Sequence, residues 1–217
     1  MNDVAPVLYA VVLGGAVWAG FRLIAERGSI GNQRVPVATI TALVVVGVPT
    51  LIQLTAVPSL LGHLERDRNL IGDGEMWRLA TALVAQDGGP GGAVFNLVSL
   101  AFVGAVAERI WGSARWTLIA LVSGVAGELW GLLVQPVGAG NSVVVFGLAA
   151  SVAVTAVRGG NRATCVVAAV CLLVAGALLL TADIHGGAAA AGAGCGLALD
   201  RQRSAERHAT DEVRRSS

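Results

Sequence analysis

Seven stretches of nearly uninterrupted apolar residues run along the chain, at about 5–25, 36–57, 92–108, 116–135, 142–157, 163–181 and 184–199, separated by polar or Gly/Pro-rich breaks. A helix rises about 1.5 Å per residue, so about 20 apolar residues cross the roughly 30 Å hydrocarbon core of a bilayer. Within lipid a single segment satisfies its own backbone polar groups only as a helix. The pattern therefore predicts an all-α, polytopic membrane helix bundle of six or seven spans, with 79–86 too short to add another. The longest break, Pro58 to Trp77, holds Glu65, Arg66, Asp67, Arg68, Asp73 and Glu75, which predicts a structured extramembrane loop. After Asp200 the chain is polar and charged, and 201–217 is expected to be a frayed tail.

Composition agrees with this pattern. Of 217 residues 55% are hydrophobic and 13% charged, where a soluble domain carries about 25% charged residues, so too little polar surface exists for a soluble fold. A net charge of +1 excludes the basic footprint of a nucleic-acid binder. Cys165, Cys171 and Cys195 lie inside apolar runs at spacings that fit no zinc site, so packed free thiols are expected and neither metal nor cofactor is implied. The first apolar run follows Asp3 rather than a basic segment, which predicts a retained helix and not a signal peptide.

Charge placement orients the bundle. All fifteen basic residues are arginine, which with the abundance of Ala, Gly and Val suits a GC-rich bacterial genome. With the N-terminus outside, the inner segments hold Arg22, Arg27, Arg34, Arg109, Arg115, Arg158, Arg162, Arg201, Arg203, Arg207, Arg214 and Arg215, twelve of the fifteen. Arg66, Arg68 and Arg78 remain outside, among acids. Cytoplasmic loops collect Lys and Arg, so seven alternating spans predict a plasma-membrane protein with an outer N-terminus and a cytoplasmic C-terminus.

Ionisable and strongly polar groups are costly inside a bilayer, so those present are candidates for function. Asn96, Glu128, Ser142 and His185 stand out. Ser142 is sixteen residues from Arg158 and His185 sixteen from Arg201, while Asn96 is thirteen from Arg109 and Glu128 thirteen from Arg115. At 1.5 Å per residue the Ser and His stand about 24 Å, and the Asn and Glu about 20 Å, from the inner boundary. A level Ser and His suggest a nucleophile and its general base, since an unassisted hydroxyl is a poor nucleophile at neutral pH. A lone membrane serine more commonly back-bonds to its own helix, and a lone Asn can serve as interhelical glue. Here the faces Phe146, Ala149, Ala153 and Ala189, Gly192, Gly196 are mostly small, which would let two helices approach closely. Ser142 also follows Gly138-Ala-Gly-Asn141, at a predicted helix start whose free N–H groups can stabilise an oxyanion.

In their order and spacing these residues resemble the rhomboid family of intramembrane serine proteases. The resemblance covers about 72–200 and begins with Gly74-Glu-Met-Trp-Arg78, similar to the Trp-Arg stretch of that family's first outer loop. It continues through Phe95-Asn96, Gly104, Glu108-Arg109 and Gly112 to Gly140-Asn-Ser142-Val-Val-Val-Phe-Gly147-Leu, similar to the Gly-x-Ser-Gly motif, and ends with His185-Gly-Gly187 and Gly192. It implies a six-helix core over 35–200 preceded by one extra helix within 1–34, and a Ser142–His185 dyad without a third acid. It also implies an oxyanion site of Asn96 and the Ser142 backbone N–H. Glu128 is a candidate for buried polar support, and Asp183, two residues before His185, is expected to point elsewhere on a continuous helix. Two positions depart from the family. Gly92 stands where a histidine often contributes to the oxyanion site, in a loop 86–92 without histidine, and Val143 replaces the glycine after the nucleophile, which is expected to widen the contact between the Ser and His helices.

The implied partners are transmembrane protein substrates and the lipid bilayer. Alternatives from other classes are a rhomboid-like pseudoprotease that binds membrane helices without cutting them, to which Gly92 and Val143 point, and a small transporter or channel using Glu128 and His185. The chain carries no inverted repeat of the kind many transporters have.

Overall fold

A computed structural model describes residues 4–28 and 35–216, with the side chains of 207–216 left undescribed, so Asp3, Arg34 and the side chains of Arg207, Arg214 and Arg215 lie outside it. Among the described residues six helices are long and apolar enough to cross a bilayer: α1 (Ala5–Glu26), α2 (Val37–Thr55), α6 (Gly89–Trp111), α7 (Ser113–Val134), α8 (Ser142–Gly159) and α9 (Arg162–Leu180). Between α2 and α6 lie three short helices, α3 (Leu60–Leu64), α4 (Arg68–Gly72) and α5 (Arg78–Thr81), followed by a 3-10 turn at Ala82–Val84. The chain is thus an all-α polytopic membrane protein. To the helices is added a two-residue antiparallel ladder that pairs Arg66 with Gly138 and Asp67 with Val137.

The last helix, α10 (Ile184–Ser216), is longer than expected. The tail after Asp200, expected to fray, continues the same helix. Arg203 explains the continuation in part: its Nη2 donates to the carbonyls of Ile110 (2.9 Å) and Trp111 (3.2 Å), and its guanidinium lies over the Trp111 ring. These are terminal carbonyls of α6, which have no partners within their own helix. Arg158 at the end of α8 pairs with Asp200 at 2.7 Å.

Helix α8 is the centre of the bundle. It is 72% buried, against 22–39% for the other five apolar helices, and α10, α7, α9, α1 and α6 surround it. The outer faces of those helices expose large apolar side chains such as Leu121, Leu133, Leu173 and Leu180, where lipid and not water is the natural solvent. α8 and α10 meet through backbone. A Cβ on Gly192 would stand 2.0 Å from the Gly147 carbonyl oxygen, and one on Gly196 3.0 Å from Ser151 Cα. Gly147 and Ser151 of α8 therefore lie at this contact.

Two polar anchors fix the connections between the helices. Glu108, from the last turn of α6, accepts from the N–H groups of Ala38 and Thr39, from Thr39 Oγ1 and from Ser113 Oγ, all at 2.7–2.9 Å. That joins the start of α2 to the α6–α7 corner, where Gly112 takes a left-handed φ of 75°. In the outer loop Arg78 is buried and donates through Nη1 to the carbonyls of Gly62 and Glu65 (both 2.9 Å) and through Nε to Glu75. The acid-rich loop expected over 58–77 is indeed structured. Segment 86–92, however, is a loop only as far as Gly88, because α6 begins at Gly89 with Pro90 in its first turn, a position where proline's missing N–H costs no bond.

Candidate active site

Ser142 is the first residue of α8. The Asn141 side chain before it makes no capping bond to the helix, so it leaves the first-turn N–H groups available to a bound anion. Instead Asn141 Oδ1 accepts from Gln86 Nε2 at 2.7 Å, which leaves a buried amide donor, Asn141 Nδ2, unpaired among the described residues one position before the nucleophile.

His185 lies in the first turn of α10, and its Nε2 is 3.0 Å from Ser142 Oγ. The expected widening by Val143 is absent. Val143 is 1% exposed and packs toward Gly127 of α7, where a Cβ would stand 2.8 Å from Val143 Cβ. The glycine on the third helix accepts the valine's bulk, so α8 and α10 stay in contact. The imidazole is flanked by Phe146 (ring centroids 4.4 Å) and by Tyr9 of α1 (4.5 Å).

The expectation for Asp183 is corrected. Asp183 Oδ1 lies 2.7 Å from His185 Nδ1 and accepts from the His185 backbone N–H at 2.8 Å. The expectation assumed a continuous helix, on which residues two apart face different ways. Asp183 instead precedes the first residue of α10, with the chain arriving through a Schellman-type turn at the end of α9. There Ala182 N–H donates to Leu179 O and Asp183 N–H to Leu178 O, and Ala182 holds a left-handed φ of 56°, a position usually given to glycine. Trp130 Nε1 donates to the Asp183 carbonyl at 3.0 Å.

Asn96, on α6, donates through Nδ2 to Gln86 Oε1 at 2.7 Å. A Cβ on Gly140 would stand 3.4 Å from Asn96 Nδ2 and 3.5 Å from Ser142 Oγ, so both atoms border the space that Gly140 leaves open. The second amide hydrogen of Asn96 remains for another acceptor. Gln86, which sequence reasoning passed over, is the hub here: it is 1% exposed, and its backbone N–H and carbonyl pair with the Gln53 side chain at 3.0 and 2.6 Å. Gln53 was detectable, as an amide inside the second apolar run. Gln86 had no signal, because its burial depends on three separate elements.

Glu128 does not touch the Ser–His pair. It forms a fully buried ion pair with Arg66, and the guanidinium also donates to the Gln135 carbonyl through Nε (3.2 Å) and Nη2 (2.8 Å). Arg66 reaches in from the outer loop and lies against Gly131, where a Cβ would stand 2.6 Å from its Cζ. The pair forms one wall of a cavity of about 90 Å³ whose lining includes Asp87, Gln135, Ser142 and His185. A polar cavity of that size admits water. Cys165, Cys171 and Cys195 are free, and among the described residues no cluster of His, Cys, Asp and Glu could hold a metal.

The rhomboid domain family matches residues 73–200, more than half of the chain. The chain belongs to the rhomboid family. Over 94 residues it is 35% identical to the rhomboid protease GluP of Bacillus subtilis, a match covering 43% of this chain and 18% of that protein, so the chain spans only a small part of the relative's length. No solved structure matches it. The matched rhomboid region contains Asn96, Ser142, Asp183 and His185, whereas Tyr9 and the rest of α1 lie before it.

Proposed function

We propose that this rhomboid chain is an intramembrane serine endopeptidase that cleaves transmembrane segments of other membrane proteins. The observation that carries the reading is the 3.0 Å approach of His185 Nε2 to Ser142 Oγ at a helix start beside a polar cavity. In this reading Ser142 Oγ attacks the scissile carbonyl as its proton passes to His185 Nε2. The Ser142 backbone N–H and Asn96 Nδ2 hold the oxyanion. The imidazolium then protonates the leaving amine, and water from the cavity, deprotonated by His185, releases the acyl group. The Bacillus subtilis relative, named as a rhomboid protease, supports the same chemistry. A fluorophosphonate probe tests it, since only an activated serine is labelled: the intact protein should react and the Ser142→Ala variant should not.

In this reading α10 is the seventh span, its Gly- and Ala-rich sequence trading apolar character for close packing on α8. Helices α2 and α6 to α10 form the six-helix core over 35–200, α1 within 1–34 is the additional helix, and 201–217 is the cytoplasmic extension of α10. The arginine distribution puts the N-terminus outside the plasma membrane and the C-terminus in the cytoplasm. Reporter fusions at the two ends should therefore read opposite sides, and termini on one side would remove a span from this arrangement.

The pseudoprotease alternative draws on Gly92 and Val143. Val143 is accommodated at Gly127, and a Cβ at Gly92 would meet nothing within 4 Å. Gly92 lies one helical turn before Asn96 on α6, so an imidazole there has room and shares the face of the oxyanion donor. Gly92→His is expected to raise the cleavage rate about tenfold, less than the hundredfold or more lost when an established oxyanion donor is removed. Gly91→His, equally unobstructed but off that face, should not. Equal effects of the two on rate per folded enzyme would refute the assignment of Gly92 to the site.

A further inference from the structure

We propose that Asp183 and Tyr9 extend the Ser142–His185 pair into a four-residue relay, so that the helix preceding the matched rhomboid region supplies a positioning residue to the catalytic site. The inference rests on the protease reading. Tyr9 Oη donates to Asp183 Oδ2 at 2.6 Å, Asp183 Oδ1 meets His185 Nδ1 at 2.7 Å, and His185 Nε2 meets Ser142 Oγ at 3.0 Å. The four residues come from α1, the α9–α10 turn, α10 and α8.

The chemistry follows from what each group can donate. An ionised carboxylate only accepts, so the 2.7 Å contact requires the proton of the neutral imidazole to be on Nδ1. Nε2 then carries the lone pair that receives the Ser142 proton, the tautomer a general base needs. When Nε2 takes that proton, the ring becomes an imidazolium with its Nδ1–H already on a carboxylate. Asp183 stays ionised throughout and balances the charge.

Two features fix the carboxylate. One is the turn that delivers it, with Ala182 in a left-handed conformation that alanine disfavours and Trp130 on the Asp183 carbonyl. Strain of this kind persists only where the surroundings impose it. The other is Tyr9, the only tyrosine in the chain. Its ring packs edge-on against His185 and Phe146 while its hydroxyl holds the second carboxylate oxygen. The other charged groups around the cavity are engaged elsewhere: Arg66 with Glu128, and Asp87 with the Ala139 N–H.

Asp183→Asn and Tyr9→Phe test the relay with nearly isosteric changes, the latter keeping both ring contacts. The readout is the rate of fluorophosphonate reaction with Ser142, resolved into maximal rate and half-saturating probe concentration, with Ser142→Ala as blank. For Asp183→Asn the maximal rate should fall on the order of a hundredfold or more, as the amide favours the wrong tautomer, with half-saturation within about threefold. Tyr9→Phe should lower the maximal rate about tenfold, again with half-saturation within about threefold, because the carboxylate loses a donor that positions it.

Wild-type reactivity with the maximal rate of Asp183→Asn within about threefold of it would overturn the relay while the protease reading stands. The relay is equally overturned if the variants reduce only the fraction of protein that labels, leaving the maximal rate of that fraction unchanged. A wild-type protein that never labels would bring down the protease reading and the relay together.

Discussion

Replacing Ser142 by alanine is expected to abolish cleavage of a transmembrane substrate, the rate per folded protein falling by about a thousandfold or more, to background. Expression and membrane insertion should be unaffected. Ser142 is only partly buried and its hydroxyl makes a single contact, to His185, so the stability lost is about one hydrogen bond, roughly 1 kcal/mol. His185→Ala should fall to a similar floor. Because the two act as one unit, the double variant should be no worse than either single change. Cleavage in proteoliposomes, normalised to folded protein, measures all three. Undiminished cleavage by Ser142→Ala would place the chemistry at another residue.

Removing Glu128 is expected to damage the protein more than any other single change away from the Ser–His pair. Arg66 and Glu128 each have side chains 1% exposed, and Arg66 is the largest fully buried side chain among the described residues. Truncating one partner of a buried pair leaves an uncompensated charge, so Glu128→Ala should cost about 3–5 kcal/mol. Arg66 also carries the ladder to Gly138 and holds the Gln135 carbonyl, so its displacement should loosen the 135–140 segment that leads into Ser142. Probe labelling of Ser142 should then fall together with stability. The paired replacement Arg66→Met with Glu128→Leu removes both charges and should recover most of the lost stability, since apolar substitutes for a whole buried pair are often neutral or better. Denaturant unfolding in detergent of the two single variants and the double measures this. If Glu128→Ala is as stable as wild type, the ion pair does not hold the outer loop to the bundle.

The apolar runs placed the long helices to within a few residues, because hydrocarbon thickness sets a minimum length and unsatisfied backbone in lipid rules out other forms. They failed at the ends, where other forces act. Segment 86–92 is already helical from Gly89, and the tail past Asp200 stays helical with Arg203 bonded to carbonyls on α6. A run of charged residues read alone contains no sign of such a tertiary partner. Ser142, His185 and Asn96 were legible because polar groups are scarce among apolar neighbours and their rarity is itself a signal.

What the sequence determined by itself is therefore the membrane class, the helices, the Ser–His pair and the likeness to rhomboids. The tertiary structure decided which groups serve that pair. Val143 leaves α8 and α10 in contact only because Gly127 faces it from α7, and Glu128 is ion-paired only because Arg66 reaches it from 62 residues away. Asp183 contacts His185 only because a turn, and not a continuous helix, precedes it, and Tyr9 reaches Asp183 across 174 residues of chain. The physical reason is one of range. Helix length and polar scarcity are properties of neighbouring residues and can be counted along the chain. The partner of a buried polar group is set by which helices pack together, and that depends on glycine-to-backbone contacts such as Gly192 on Gly147, formed only when the whole bundle closes.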